Sequence, residues 1–131
     1  PEAILRGGYL VDAPAGATFT LVATGSEVPL AQAALEALAK QGVVGRLASI
    51  PCLECFLAQP QAWRDEVVPP GQRVAVVEAA RGTEWWRLAG RDGLVLGIER
   101  FGSSAPEKAL AEDYGFTPAQ VAERVTRWLA G

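Results

Sequence analysis

Few residues in this sequence have the type and spacing to do chemistry. Cys52-Leu53-Glu54-Cys55 sets two thiols three residues apart, the spacing of a dithiol/disulfide couple or of half a zinc site. Thr24-Gly25-Ser26 puts two hydroxyls around a glycine where a strand-like run gives way to a helical one. Backbone N–H groups and the helix dipole can hold an anion at such a junction. Ser26 and Ser104 are hydroxyls that need a base before they act as nucleophiles. The chain contains no His, so it cannot build a Ser-His-Asp triad, a Cys-His pair or a His-ligated zinc on its own. Neither serine lies in a G-x-S-x-G elbow. The Asp and Glu residues are spread over helix faces and turns, as solvated surface.

Each candidate has a plainer reading beside it. The Thr24-Gly25-Ser26 turn has no G-x-G-x-x-G and no Walker lysine, so neither nucleotide fingerprint is met. Glu27 follows it with a carboxylate where a phosphate would sit, and an acid favoured by the helix dipole explains that residue more simply. Structural capping, with Ser26 as the N-cap, is the favoured reading of the turn over ligand binding. The cysteine pair follows a strand and opens a helix, as thioredoxin-type motifs do, yet Leu and Glu between the thiols match no redox motif. No second ligand pair is present for a metal. In a reducing cytosol the expectation is two ordinary thiols.

The surrounding composition narrows the class. With 131 residues, half of them hydrophobic, 21% charged and a formal net charge of −3, the chain reads as one globular domain over residues 1–131. A pI near 5.0 with interspersed charges gives no nucleic-acid footprint. No apolar run is long enough to span a membrane, and no basic-then-apolar leader opens the chain. The expected location is the cytoplasm. The chain starts at Pro1 and has no Met, so it reads as part of a longer polypeptide. Arg greatly outnumbers Lys and Asn is absent, a composition that suits a GC-rich genome and equally a heat-tolerant host.

The elements that must position these residues follow from periodicity. Strands are expected over residues 8–11, 18–23, 45–50, 73–78 and 93–98, the fourth a continuous apolar run of the kind parallel sheets bury on both faces. Helices are expected over 27–41, over 53–68 with a break at Pro60, in a short piece at 83–88, and over 106–114 and 118–130. Thr117 followed by Pro118 and Gln120 is a capping-box start. Strands alternating with helices imply an α/β fold, a three-layer α/β/α sandwich around a mostly parallel five-stranded sheet, with the Tyr9 segment as an antiparallel edge strand.

Two further features read as contacts. Adjacent Trp85 and Trp86 cannot both enter one core, so at least one is expected against a neighbouring element, domain or subunit, with packing in the single-chain core as the alternative. Phe101-Gly102-Ser103-Ser104-Ala105-Pro106 leaves a strand at its carboxyl end, where α/β folds place contacts; Phe101, Ser104 and Pro106 join the tryptophans as candidate interface residues.

In order along the chain, Arg6-Gly7-Gly8-Tyr9, Ala23-Thr24-Gly25-Ser26-Glu27-Val28, Val76-Val77-Glu78-Ala79 with Trp85, Phe101-Gly102 with Ser104-Ala105-Pro106, and Tyr114-Gly115-Phe116-Thr117 resemble the C-terminal domain of transketolase. That resemblance implies a five-stranded mixed sheet in a thiamine-diphosphate-dependent enzyme that moves a two-carbon ketol unit from a ketose phosphate to an aldose phosphate in the pentose phosphate pathway. It implies a homodimer, with thiamine diphosphate and Mg²⁺ or Ca²⁺ held by upstream domains. No catalytic, cofactor or metal residue of the family maps onto this chain. Its partners would be those upstream domains, and its own role structural, at subunit contacts. Cys52 and Cys55 depart from the family pattern, which carries Ser and other polar residues there, and Ser103 is variable.

The equivalent domain of a related thiamine-diphosphate enzyme is one alternative reading. A small-anion or nucleotide-binding regulatory module using Thr24, Gly25 and Ser26 is another, and a thiol module built on Cys52 and Cys55 is a third.

Overall fold

The computed structural model describes residues 6–78, 83–97 and 117–131. Five strands form one sheet in the order β1-β3-β2-β4-β5. They are β1 (Tyr9–Asp12), β2 (Phe19–Ala23), β3 (Gly45–Ser49), β4 (Arg73–Glu78) and β5 (Leu94–Gly97). Strands β2 to β5 run parallel, and β1 pairs antiparallel with β3 at the edge. The expected architecture is the one observed.

The central strands have no polar face because helices cover both sides. Every residue of β2 is buried, as are the four inner residues of β4, so alternation gives way to continuous apolar runs. Phe19, Leu21 and Ala23 point to one side, where they pack with Ala31, Ala34 and Leu38 of α1 (Val28–Ala39) and Val121 and Val125 of α5 (Pro118–Ala130). Val22, Val74 and Val76 point to the other. There they meet Leu53 and Phe56 of α2 (Leu53–Leu57), Val67 of α3 (Gln61–Val67) and Trp85, which ends the 3-10 turn Thr83–Trp85 before α4 (Trp86–Ala89).

Local signals set the helix ends. The Thr117 hydroxyl accepts from the Gln120 N–H at 3.2 Å, and the Gln120 side chain accepts from the Thr117 N–H at 3.3 Å. This closes the expected capping box at the start of α5. Pro60 separates α2 from α3, as expected, since a proline inside a helix removes a donor and clashes with the preceding turn. At the far end of α3, Arg46 of β3 donates through Nη2 to the Glu66 carbonyl at 2.5 Å, satisfying a group the helix leaves open. The start of α1 differs from expectation. A 3-10 turn, Gly25–Glu27, precedes it, so the residue flanking the α-helix is Glu27 and not Ser26, and no side chain caps it. The expected helix over 106–114 and strand residue 98 lie outside the described residues.

Candidate functional site

The order of the strands fixes where a ligand would be received. From β2 the chain crosses over α1 to β3 on one side of β2, and from β3 it crosses over α2 and α3 to β4 on the other. The direction of winding therefore reverses between β2 and β4, and α/β folds open their crevice at the carboxyl ends of such a strand pair. Thr24 follows β2 at that point, and Glu78 ends β4 beside it.

The Thr24-Gly25-Ser26 turn is thus well placed, but its hydroxyls are given to carboxylates. Thr24 Oγ1 lies 3.5 Å from Glu78 Oε1, and Ser26 Oγ donates to Glu27 Oε2 at 2.7 Å. The Glu27 N–H returns to the Thr24 carbonyl at 2.8 Å, closing the 3-10 turn. Two carboxylates at the mouth oppose an anion by Coulomb repulsion. Sequence pattern alone does not mark Glu78 as a site residue; its place at the end of the clearest strand-like run is its one local signal.

The cysteines differ from the expectation of two ordinary thiols, because Cys52 and Cys55 are joined by a disulfide. Cys52 is extended, with φ −135° and ψ 98°, while Cys55 lies in the first turn of α2. That change of direction brings their α-carbons to 5.3 Å, inside the usual disulfide range. The backbone N–H of Cys55 also points at Cys52 Sγ, 3.2 Å away.

The adjacent tryptophans are divided between core and surface. Trp85 is 2% exposed and packs in the cluster of Val22 and Val76, its indole N–H without a hydrogen-bond partner among the described residues. Trp86 is 47% exposed. Phe101, Ser104 and Pro106 lie outside the described residues, so they are not placed relative to it.

Among the described residues, two open cavities flank the sheet. One of about 280 Å³ lies between α1 and the end of β1, with Asp12 and Glu36 as its only charged lining groups and an apolar wall from Leu35, Val44 and Leu47. The other, of about 260 Å³, lies beside α3 and α4 and carries Arg64, Asp65 and Arg87. Both fall below the ~300 Å³ at which small-molecule pockets usually begin. Among the described residues no group of three or more His, Cys, Asp or Glu could hold a metal ion. A diphosphate cofactor with a divalent cation needs clustered oxygen ligands for the metal and donors for the phosphates. The first cavity offers two carboxylates without a cation; the second sets Arg64 and Arg87 beside the Asp65 carboxylate, and Arg64 Nε is already taken by the Gln59 carbonyl at 3.0 Å. The described residues of this chain do not fit such a group.

Comparison with known proteins supplies the context. Residues 7–117 match the family described as transketolase-like C-terminal domain. The chain is 50% identical over 121 residues to the chromosomal transketolase of Cupriavidus necator, covering 91% of this chain and 18% of that protein. It is 42% identical over 134 residues to the transketolase of Aquifex aeolicus, covering 99% of this chain and 19% of that one. Among solved structures, a Pichia stipitis transketolase in complex with sedoheptulose 7-phosphate superposes with a TM-score of 0.90 at 32% identity, over 98% of this chain and 19% of that one. The chain therefore spans just under a fifth of the length of the relatives it matches.

Proposed function

This chain belongs to the transketolase C-terminal domain family, and from that premise we propose that it is the non-catalytic C-terminal domain of a thiamine-diphosphate-dependent transketolase. In this reading residues 1–131 form one domain, and upstream domains of the same polypeptide hold thiamine diphosphate and its divalent metal. The parent enzyme moves a two-carbon ketol unit from a ketose phosphate to an aldose phosphate, in the cytoplasm and as a homodimer. The observation that carries the reading is the identity of 42–50% to transketolases over nearly the whole chain, while the chain fills only 18–19% of them. A share that small leaves room for the chemistry elsewhere. A chain without His, whose cavities among the described residues do not suit a diphosphate, is consistent with that division of labour.

The domain's own contribution is contact. Trp86 beside Arg87 on α4 is an exposed aromatic next to a cation, a pairing favoured at the centres of protein interfaces. Trp85 supports that surface from beneath, and Phe101, Ser104 and Pro106 stay candidate contact residues in this reading.

The direct experiment replaces the matching segment of the Cupriavidus necator chromosomal transketolase with residues 6–131 of this chain. A soluble chimera that dimerises and transfers ketol units is the expected result. The 131-residue chain alone should neither bind thiamine diphosphate in calorimetry nor turn over sugar phosphates. Turnover by the isolated chain would sink the non-catalytic assignment, and a folded chimera that stays monomeric would sink the contact role.

A further inference from the structure

The Cys52–Cys55 pair is absorbed by none of the above, and its surroundings suit reversible chemistry. The two sulfurs differ in access: Cys55 is exposed and Cys52 half-buried. They close a ring of only four residues, a loop too short to constrain the unfolded chain strongly. The flanking residues Leu53 and Phe56 are buried in the core, so α2 stays anchored whether or not the sulfurs are bonded.

The pair also bears on the segment that leads into β1. The Cys52 N–H donates to the Gly7 carbonyl at 3.1 Å. Gly7 adopts φ +82°, and a β-carbon there would lie 2.6 Å from Cys55 Cβ and from the Cys52 carbonyl oxygen. Gly8 accepts the Trp63 indole N–H at 3.2 Å, and the Arg6 guanidinium lies 4.6 Å from the centre of the Trp63 ring. Residues 6–8 are therefore laid directly on the cysteine loop.

We propose that Cys52 and Cys55 form a thiol–disulfide exchange site for small thiols and disulfides of the glutathione class, and that its oxidation state sets how firmly residues 6–8 dock. An incoming thiolate attacks Cys55 Sγ, the exposed sulfur. The new S–S bond forms as the Cys52–Cys55 bond breaks, and Cys52 leaves as a thiolate that already has the Cys55 N–H as donor before it takes a proton from water. A second thiol attacks the small-molecule sulfur of the mixed disulfide and releases the Cys55 thiol. In sum, protein disulfide and two thiols become protein dithiol and one small-molecule disulfide; the reverse sequence oxidises the pair.

The test equilibrates the protein in buffers of reduced and oxidised glutathione, quenches with acid and weighs it by mass spectrometry. Expected is a conversion between the dithiol and a species lighter by two hydrogens, with the far-ultraviolet circular dichroism unchanged. Two bound glutathiones in place of the internal bond, or an internal bond that excess reduced glutathione and dithiothreitol both leave intact in the folded protein, would overturn the proposal. In Cys52→Ser, Cys55 should capture one glutathione about tenfold faster than Cys52 does in Cys55→Ser, because reactivity follows access. Equal rates would refute the assigned order of attack. Reduction should also speed amide hydrogen exchange at Gly8 and Cys52, and exchange that is indifferent to reduction would remove the coupling to residues 6–8.

Discussion

The ring of Phe19 lies against the α-carbon of Gly45, in the space that a β-carbon on residue 45 would occupy. The two residues are register partners at the start of β2 and β3, and both are buried. The glycine is required by close approach, so its absence of a side chain is what lets Phe19 fill the end of the core and meet Trp128 edge-on at 6.0 Å.

Gly45→Ala should therefore destabilise the chain by about 1–3 kcal/mol, the usual cost of overpacking a filled core. Adding Phe19→Leu should recover part of that loss, because the smaller side chain vacates the contested volume. Urea unfolding of the two single variants and the double variant measures the coupling. Strictly additive losses would mean that the contact does not set the residue at position 45.

Adjacent Trp85 and Trp86 should respond in opposite ways. Trp85→Ala empties a buried site and should cost about 3–5 kcal/mol. Trp86→Ala should change the stability of the chain by no more than about 0.5 kcal/mol, as exposed substitutions do, and, on the contact role proposed above, should weaken subunit association in the parent enzyme. Denaturation profiles and sedimentation equilibrium separate the two effects. Undiminished association of the Trp86 variant would exclude this face from the contact.

Loss of the capping box should loosen the final helix. Thr117→Ala removes the acceptor for the Gln120 N–H and should cost about 1 kcal/mol, whereas Thr117→Ser keeps it and should cost less. Thermal melts followed at 222 nm report the difference, and indistinguishable melts of the two variants would deny the hydroxyl its role.

The same helix is fastened at its other end by a shared carbonyl. Asp92 O accepts from the Trp128 indole at 2.9 Å and from Arg73 Nε at 3.4 Å, while the Arg73 guanidinium sits 4.5 Å from the centre of the Trp128 ring. Trp128→Phe keeps a ring against Phe19 but removes the indole donor, for an expected loss of about 0.5–1.5 kcal/mol. Arg73→Lys keeps the charge and loses the planar fork, and should cost a similar amount. In a double-mutant cycle the two losses should fall short of additivity, since both act on one carbonyl; independent losses would argue against a joint fastening.

How far the sequence reached depends on the range of the interactions involved. The apolar run over residues 73–78, the break at Pro60 and the Thr117–Gln120 cap are local patterns, and each reappears in the structure within about two residues. The start of α1 differs because a 3-10 turn moves the boundary by one residue, and cap chemistry alone does not distinguish Ser26 from Thr24 or Glu27. Trp85 and Trp86 carry the same label in sequence, and only the packing of α4 against β4 and β5 decides which one is buried. The approach of Glu78 to Thr24 spans 54 positions, beyond any local pattern. The cysteine bond depended on a single extended residue, Cys52, ahead of a helical turn.

Strand β1 runs against its neighbours, with Tyr9 opposite Ser49 and Asp12 opposite Leu47. Its first residue therefore stands at the end of the sheet where the parallel strands finish, the end that carries Thr24, Cys52 and the last residue of β4, Glu78. Any polypeptide joined ahead of residue 6 would be moored at that end and leave the opposite rim, where Gly45 and Arg73 begin their strands, facing away from the tether. An edge strand held in that sense brings the entry of the chain to the same pole of the sheet as Thr24 and Glu78.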